Sequence, residues 1–327
     1  MIQICSRKSK IVNLKSTVPR ETKLNLHYIQ RDSAANCDRK LKNNNMNITN
    51  QQPFLTVKDY SVSQEIFELY HDENLDMLIT SPQPSLKNLG KYYESVDYIS
   101  HTDSKRSLFE KAYHFVKTIA LKNKLNLINS LQTNKGSILD IGAGTGDFLS
   151  VAKENGWHTI GVEPSEKAKT IAKKKGVSFV GETSELENHS FDVISMWHVL
   201  EHVPNLENQI KELKRLLKQN GTLIIAVPNF KSFDAKHYGK FWAAYDVPIH
   251  FWHFSKTAIK MLFEKEEIKL IKVLPMKFDS FYVSLLSEKY KTGKMNYIKA
   301  FFVGLQSNWK AKKNFEYSSH IYILKNN

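Results

Sequence analysis

Two acids and three glycines carry the first chemical signal in this chain. Asp140 sits near the end of the run Ser137-Ile138-Leu139-Asp140-Ile141, and Gly142, Gly144 and Gly146 follow at every second position. The apolar run reads as a buried parallel strand, and Phe148-Leu149-Ser150-Val151-Ala152 opens a helix behind it. Glycine at such a turn reaches positive φ and lets a ligand approach the main chain, while the helix start offers free N–H groups. The spacing is not the dinucleotide fingerprint, because the sixth position is Asp147 and the third glycine falls one residue early. An acid ahead of the turn repels a pyrophosphate and suits an amino group. A ligand with a cationic amino-acid end and no phosphates fits best, and S-adenosylmethionine (SAM) is such a molecule.

Thr159-Ile160-Gly161-Val162-Glu163 is a second buried strand ending in an acid, 23 residues after Asp140. A strand-helix-strand unit places that acid beside the first turn. A carboxylate there accepts both hydroxyls of a ribose, each bond contributing roughly 1.5–3 kcal/mol. Together, Asp140-x-Gly142-x-Gly144-x-Gly146 and Glu163 resemble the first motifs of the class I SAM-dependent methyltransferases. The resemblance covers roughly Tyr92 to Lys325. It implies an α/β, doubly wound, Rossmann-like fold of seven strands with the last antiparallel. It also implies that Asp140 holds the methionyl amino end, Gly142, Gly144 and Gly146 admit the cofactor, Glu163 grips the ribose, and Glu182 contacts adenine.

The elements agree with that class. Buried strands are expected at Trp157–Glu163, Val177–Val180, Phe191–Met196, Thr222–Val227 and Ile268–Leu274, with a last one at His320–Leu324. Helices are expected at Leu108–Leu131 (with Phe109, Tyr113, Val116, Ala120 and Leu121 on one face), Phe148–Asn155, Ser165–Lys175, Asn205–Leu217 and Ser255–Glu264. Asn220-Gly221 reads as a turn. Alternation of this kind predicts a doubly wound sheet.

The fourth strand leads into Trp197-His198-Val199-Leu200-Glu201-His202-Val203, which looks like the matching segment of the ubiquinone- and menaquinone-type small-molecule branch. There the resemblance puts Trp197 and His198 against the adenosine and the methyl group. His198-x-x-Glu201-His202 also spells an inverted zinc-protease signature, but Pro204 cuts the helix that motif needs. Some quinone methyltransferases bind a divalent ion at the corresponding triplet, with Glu where His198 stands; no metal is expected here. Residues 228–254 are dense in aromatics and form a substrate cap over the cleft. His250 and His253 within it join His198 as candidate bases for an acceptor hydroxyl, with core packing as the alternative for each. A second insert, 277–313, mixes aromatics and lysines at helical spacing. Plain packing, a substrate cap, a dimer contact and a membrane-lying helix are its readings.

The 327 residues carry a net charge of +14, of which residues 1–50 supply +7. That segment reads as a disordered basic tail. It is either dispensable, an artefact of start-site choice with the working protein beginning at Met46, or an arm for nucleic acid or an anionic membrane. Residues 51–90 resemble a zinc-ribbon prelude without its cysteines. Asp72 and Leu75 stand where one pair belongs, so a metal-free remnant with no structural zinc is expected ahead of a methyltransferase domain at 91–327. Tyr93 and Tyr98 are further candidates to cap the cleft. Cys5 and Cys37 are the two cysteines and give no disulfide framework. They fit a cytoplasmic protein. No apolar signal core or membrane span is read.

The expectation is therefore SN2 transfer from SAM to a small-molecule acceptor (aromatic, lipid-like or sugar-linked), with oxygen favoured and peripheral membrane contact open. An RNA methyltransferase is the rival suggested by charge, although no D/N-P-P-Y-like motif follows strand four. A non-catalytic scaffold on the same fold is the third reading.

Overall fold

The computed structural model describes residues 52–93, 108–132 and 134–326. The basic tail with Cys5 and Cys37, Tyr98, and the side chains of Phe109 and Tyr113 lie outside them. In chain order the elements are β1 (Leu55–Lys58), β2 (Ile66–Asp72), β3 (Met77–Ser81), α1 (Leu86–Leu89), α2 (Leu108–Leu131), β4 (Ser137–Ile141), α3 (Asp147–Glu154), β5 (His158–Val162), α4 (Glu166–Lys173), β6 (Ser178–Val180), β7 (Phe191–Trp197), α5 (Leu206–Leu216), β8 (Leu217–Pro228), α6 (Phe233–Tyr238), β9 (Trp252–His253), α7 (Lys256–Glu264), β10 (Ile268–Pro275), α8 (Asp279–Thr292), α9 (Tyr297–Asn314) and β11 (Ser319–Asn326).

Seven strands form one sheet in the order β10-β11-β8-β7-β4-β5-β6. Strands β4 to β8 pair in parallel, and β11 runs antiparallel between β8 and β10. The inner strands are apolar on both faces. Ile138, Leu139, Val193, Ile194 and the run Leu223 to Val227 are all buried, because crossover helices cover both sides of a parallel sheet. From β4 the chain goes first to β5 on one flank and later to β7 on the other. The loops after β4 and β7 therefore diverge and leave a crevice at the carboxyl edge.

One expectation is corrected. Asn220-Gly221 is not a turn between elements: α5 ends at Leu216 and β8 starts at Leu217 without a loop. Leu217 already pairs with Phe191, and the register shifts before Val193 meets Thr222. Asn220 absorbs that shift at φ 60°, a left-handed conformation that asparagine tolerates better than most residues.

Strands β1, β2 and β3 form a second, antiparallel sheet whose fourth strand is β9, from far along the chain. Leu78 pairs with His253 and Ile79 with Trp252. Val57, Phe67, Leu69 and Leu78 share one core with Phe251 and Phe254 from the post-β8 segment. The cap is thereby strapped down by the prelude.

The second insert is the helix pair α8 and α9. Gly304 sits against Phe281, where a Cβ would come within 2.8 Å of the ring. Asp234 in α6 joins this pair to the cap. Its fully buried carboxylate accepts from Trp242 Nε1 at 2.8 Å, Ser307 Oγ at 2.6 Å and Ser318 Oγ at 2.7 Å. Asp234→Ala leaves three buried donors without an acceptor, each costing about 1–3 kcal/mol. Urea denaturation is expected to show a loss of about 3 kcal/mol or more, with Asp234→Asn recovering part of it.

Candidate active site

The glycine turn curls over the end of β5. Gly142 and Ala143 donate their N–H groups to Val162 O at 2.8 and 3.1 Å. Gly142 has φ 74°, and a Cβ there would meet Val199 Cγ2 at 2.3 Å. Gly144, at φ 52°, faces open space. Asp140 pairs in register with Ser195 of β7 on one side and Gly161 of β5 on the other. Its buried carboxylate accepts from Ser195 Oγ at 2.6 Å. Burial pushes this carboxyl up to about 6, against the pull of Ser195 and Lys124, and the charge of Glu163 adds to the rise. Glu163 accepts N–H bonds from Gly144 at 2.9 Å and Ser165 at 2.9 Å. Burial also raises its pKa, opposed by those two bonds. Asp147 is different: burial works against its charge, but Thr145, Lys175 and Lys117 hold it down to about 2.

A lysine that no motif marks completes this side. Lys124 of α2 lies 4.1 Å above the Trp197 ring, and Phe148 stands edge-on to that ring at 5.9 Å. Burial pushes the ammonium down to about 8 in spite of Asp140, Asp279 and Asp147. Trp197 Nε1 is buried with no hydrogen-bond partner. A cation and an unpaired N–H donor beside a buried carboxylate match the two charged groups of an amino-acid zwitterion. With the open face at Gly144, they fit the cofactor expected from sequence.

The turn Leu200–His202 follows β7. It is gripped by the cap: Phe251 donates its N–H to Glu201 O at 2.8 Å, and Trp252 Nε1 donates to Val203 O at 2.7 Å. His198 has φ 57° and spans two carboxylates, with Nδ1 3.3 Å from Glu201 Oε1 and Nε2 3.0 Å from Asp279 Oδ2. Burial disfavours its charge, but Asp279 and Glu201 outweigh burial and lift the imidazole to about 10. The group is an imidazolium at neutral pH with both nitrogens engaged. The position expected to carry a base is thus flanked by two acids, one three residues on and one far along the chain, that favour its protonated form.

Glu201, His202 and His250 each aim a ligand atom within 4.8 Å of the others. His202 Nδ1 faces Ile249 O at 3.1 Å and His250 Nδ1 faces Ala244 O at 2.9 Å, so both rings turn Nε2 lone pairs inward. Glu201 Oε2 is buried and unpartnered. Three acceptors meet with no donor among them, an arrangement that a proton or a divalent cation satisfies. Burial lowers the pKa of His202, and burial with the neighbouring His202 and His253 lowers that of His250 well below its usual value. The short turn also removes the zinc-protease reading, which needs a long helix.

His253 lies beside His250, with ring centroids 6.4 Å apart, but bonds to β3. Thr80 Oγ1 donates to His250 O at 2.6 Å, so His253 Nε2 donates to that hydroxyl at 3.0 Å. Burial lowers this histidine to about 3. It ties β9 to β3 within the small sheet, with the Nε2 of this expected base engaged by Thr80. Glu182 lies in the turn after β6. Its N–H donates to Glu185 at 2.9 Å, and Ser184 donates to its carboxylate at 3.2 Å.

Sequence reasoning missed Lys124, Ser195 and Asp279. Lys124 is one of several lysines in its helix and carries no local signal. Asp279 does have one, as an acid in the first turn of a helix directly after a strand end.

A family model described as a methyltransferase domain matches residues 106–273. An uncharacterized protein of Methanocaldococcus jannaschii is 36% identical over 107 residues, 32% of this chain and 50% of that protein. A demethylmenaquinone methyltransferase of Thermotoga maritima is 28% identical over 172 residues, 47% of this chain and 73% of its own length. A ubiquinone biosynthesis O-methyltransferase of Hahella chejuensis is 29% identical over 102 residues, 28% of this chain and 43% of that one. The chain thus spans half of the first relative and less than half of the third. Among solved structures, a SAM-dependent methyltransferase from Thermotoga maritima has a TM-score of 0.48 at 23% identity, covering 72% of this chain and 99% of its own.

The His198 bridge has a pH signature. A histidine raised from 6.5 to about 10 contributes stability that is full below the unfolded value, shrinks as pH rises, and is gone once pH passes the folded value. The urea midpoint of the wild type is expected to exceed that of His198→Gln at pH 6 and to converge with it above pH about 10. A gap independent of pH would mean that the bridge is not ionic.

Proposed function

Because this chain belongs to the methyltransferase-domain family, we propose that it transfers the methyl group of SAM to a small-molecule acceptor, with oxygen as the favoured target. The observation that carries this is the grouping of a buried acid, Asp140, a cation, Lys124, and an unpaired donor, Trp197 Nε1, beside an open glycine turn. Asp140 takes the methionyl ammonium. Lys124 and Trp197 take the carboxylate. Glu163 turns its remaining lone pairs to the ribose hydroxyls. Gly142 and Gly146 hold the turn in the shape that leaves Gly144 clear.

The bound cofactor supplies a methyl group on a sulfonium, an electrophile with a good leaving group. The chain's part is to align the acceptor with that methyl and to keep water out, and alignment alone supplies roughly 7–11 kcal/mol. His250, neutral through burial and with Nε2 free, takes the proton of an acceptor hydroxyl, and Glu201 stabilises the imidazolium that results. His198 stays charged and positions α8 through Asp279. A divalent ion held by Glu201, His202 and His250 would instead lower the acceptor's pKa. Relatives named for quinone methylation support a small acceptor over a nucleic acid, and half of the net charge, +7 of +14, lies in residues 1–50.

Glu163→Ala is expected to weaken SAM by tenfold or more in calorimetry, about 1.4 kcal/mol per decade. Lys124→Met is expected to do the same while leaving the affinity for decarboxylated SAM unchanged. Equal losses for both ligands would remove the carboxylate role. His250→Gln is expected to keep SAM affinity within about twofold and to cut transfer of labelled methyl to hydroxylated acceptors by about a hundredfold or more; full turnover in that variant would exclude His250 as the base.

A further inference from the structure

We propose that the outer face of α9 docks on an anionic membrane surface. This helix buries only small side chains, Ala300, Val303, Gly304, Ser307 and Ala311, against the rest of the molecule. Its large ones point away. Tyr297, Ile298, Phe301, Phe302, Leu305 and Trp309 are all exposed, with Ile298 at 74%, Phe302 at 61% and Trp309 at 58%. At 100° per residue, Ile298, Phe302, Leu305 and Trp309 fall on a single stripe, with Tyr297 and Phe301 along its edge. A contiguous exposed apolar face of this kind marks an interaction site on a protein surface.

Charge selects the occupant. The helix YIKAFFVGLQSNWKAKKN contains four lysines and no acid. Lys312 and Lys313 flank the stripe near its C-terminal end, and Lys291 and Lys294 lie exposed in the approach to its N-terminus. The nearest acid on the partner helix, Glu288, is buried and neutralised by Lys299 at 3.0 Å. Apolar and aromatic side chains between lysines, on a helix that no acid interrupts, match the boundary between acyl chains and anionic headgroups. A second copy of the chain fits poorly, because a two-fold contact through this stripe sets one lysine rim against the other. The helix does not span: no helix among the described residues is long and apolar enough to cross a membrane.

The placement gives the surface a consequence for the site. α9 rests on α8, with Phe281 and Phe301 stacked at 5.5 Å, and α8 begins at Asp279, the partner of His198. A helix lying in the headgroup layer thus brings the acceptor side of the crevice to the membrane. Docking itself does not rest on the methyl-transfer reading, since binding is read without turnover.

The test is co-sedimentation of the full chain with vesicles of phosphatidylcholine alone and with about a third phosphatidylglycerol, for the wild type, Phe302→Glu/Trp309→Glu and Lys312→Glu/Lys313→Glu. SAM affinity serves as the folding control. The wild type is expected to bind the anionic vesicles and to dissociate at high salt. The aromatic variant is expected to lose binding at least tenfold. The lysine variant is expected to lose at least about thirtyfold, from the loss of two cations near a charged surface, with the two added carboxylates increasing the loss. No binding by the wild type overturns the proposal. Binding that survives in both variants also overturns it and moves the contact to the basic N-terminal residues. A dimer in light scattering that Phe302→Glu dissolves, without vesicle binding, assigns the face to a second copy instead.

Discussion

Negative charge gathered at one edge of the sheet is the constraint that the rest of the molecule answers. Parallel strands end together, and Asp140, Glu163, Glu201 and Asp279 all come from the segments that leave those ends. Each is largely removed from water, and a buried carboxylate is tolerated only with donors or cations around it. Ser195 serves Asp140, and the backbone of the glycine turn and of Ser165 serves Glu163. His198 serves Glu201 and Asp279 together. Lys124 stands between the two halves and feels both Asp140 and Asp279. The edge is thus built for a positively charged guest, and a sulfonium carrying an ammonium is one.

The turn after β7 depends on parts of the chain that are remote from one another. The turn at Glu201 and His202 is held by the backbone of Phe251 and the indole of Trp252. Those residues are held in turn by β3 of the small sheet. Asp234 joins the cap to α9 and to the start of β11. The small sheet, the segment after β8 and the helix pair α8 and α9 therefore form one packed unit rather than three appendages. This explains why so many polar groups far from the glycine turn are buried and paired, and why the aromatic segment 241–254 is mostly interior. Its rings fill the interior, and His250 offers a nitrogen to the cluster with Glu201 and His202.

Much of this could be read in the sequence. The strand–glycine–helix signal at Asp140 and the acid at Glu163 are local, since they follow from hydrophobic periodicity and from glycine's conformational range. The parallel sheet follows from strands that are apolar throughout. The histidines were legible as candidates and not as roles. His198, His250 and His253 are alike in composition and neighbourhood along the chain. Yet the first is held charged by two carboxylates, the second is neutral with an open lone pair, and the third is bonded into a sheet.

The sequence alone, then, determined the class of fold and the polarity of the cofactor pocket, because both depend on residues close together in the chain. Only the tertiary structure decided the protonation of each histidine and the importance of Lys124, Ser195 and Asp279. It alone also decided the union of the prelude with β9 and the outward turn of the large side chains of α9. Protonation depends on burial and on charges within a few ångströms, and although Glu201 is only three residues from His198, the burial and the second acid, Asp279, come from segments far along the chain, which no local pattern of residue types encodes.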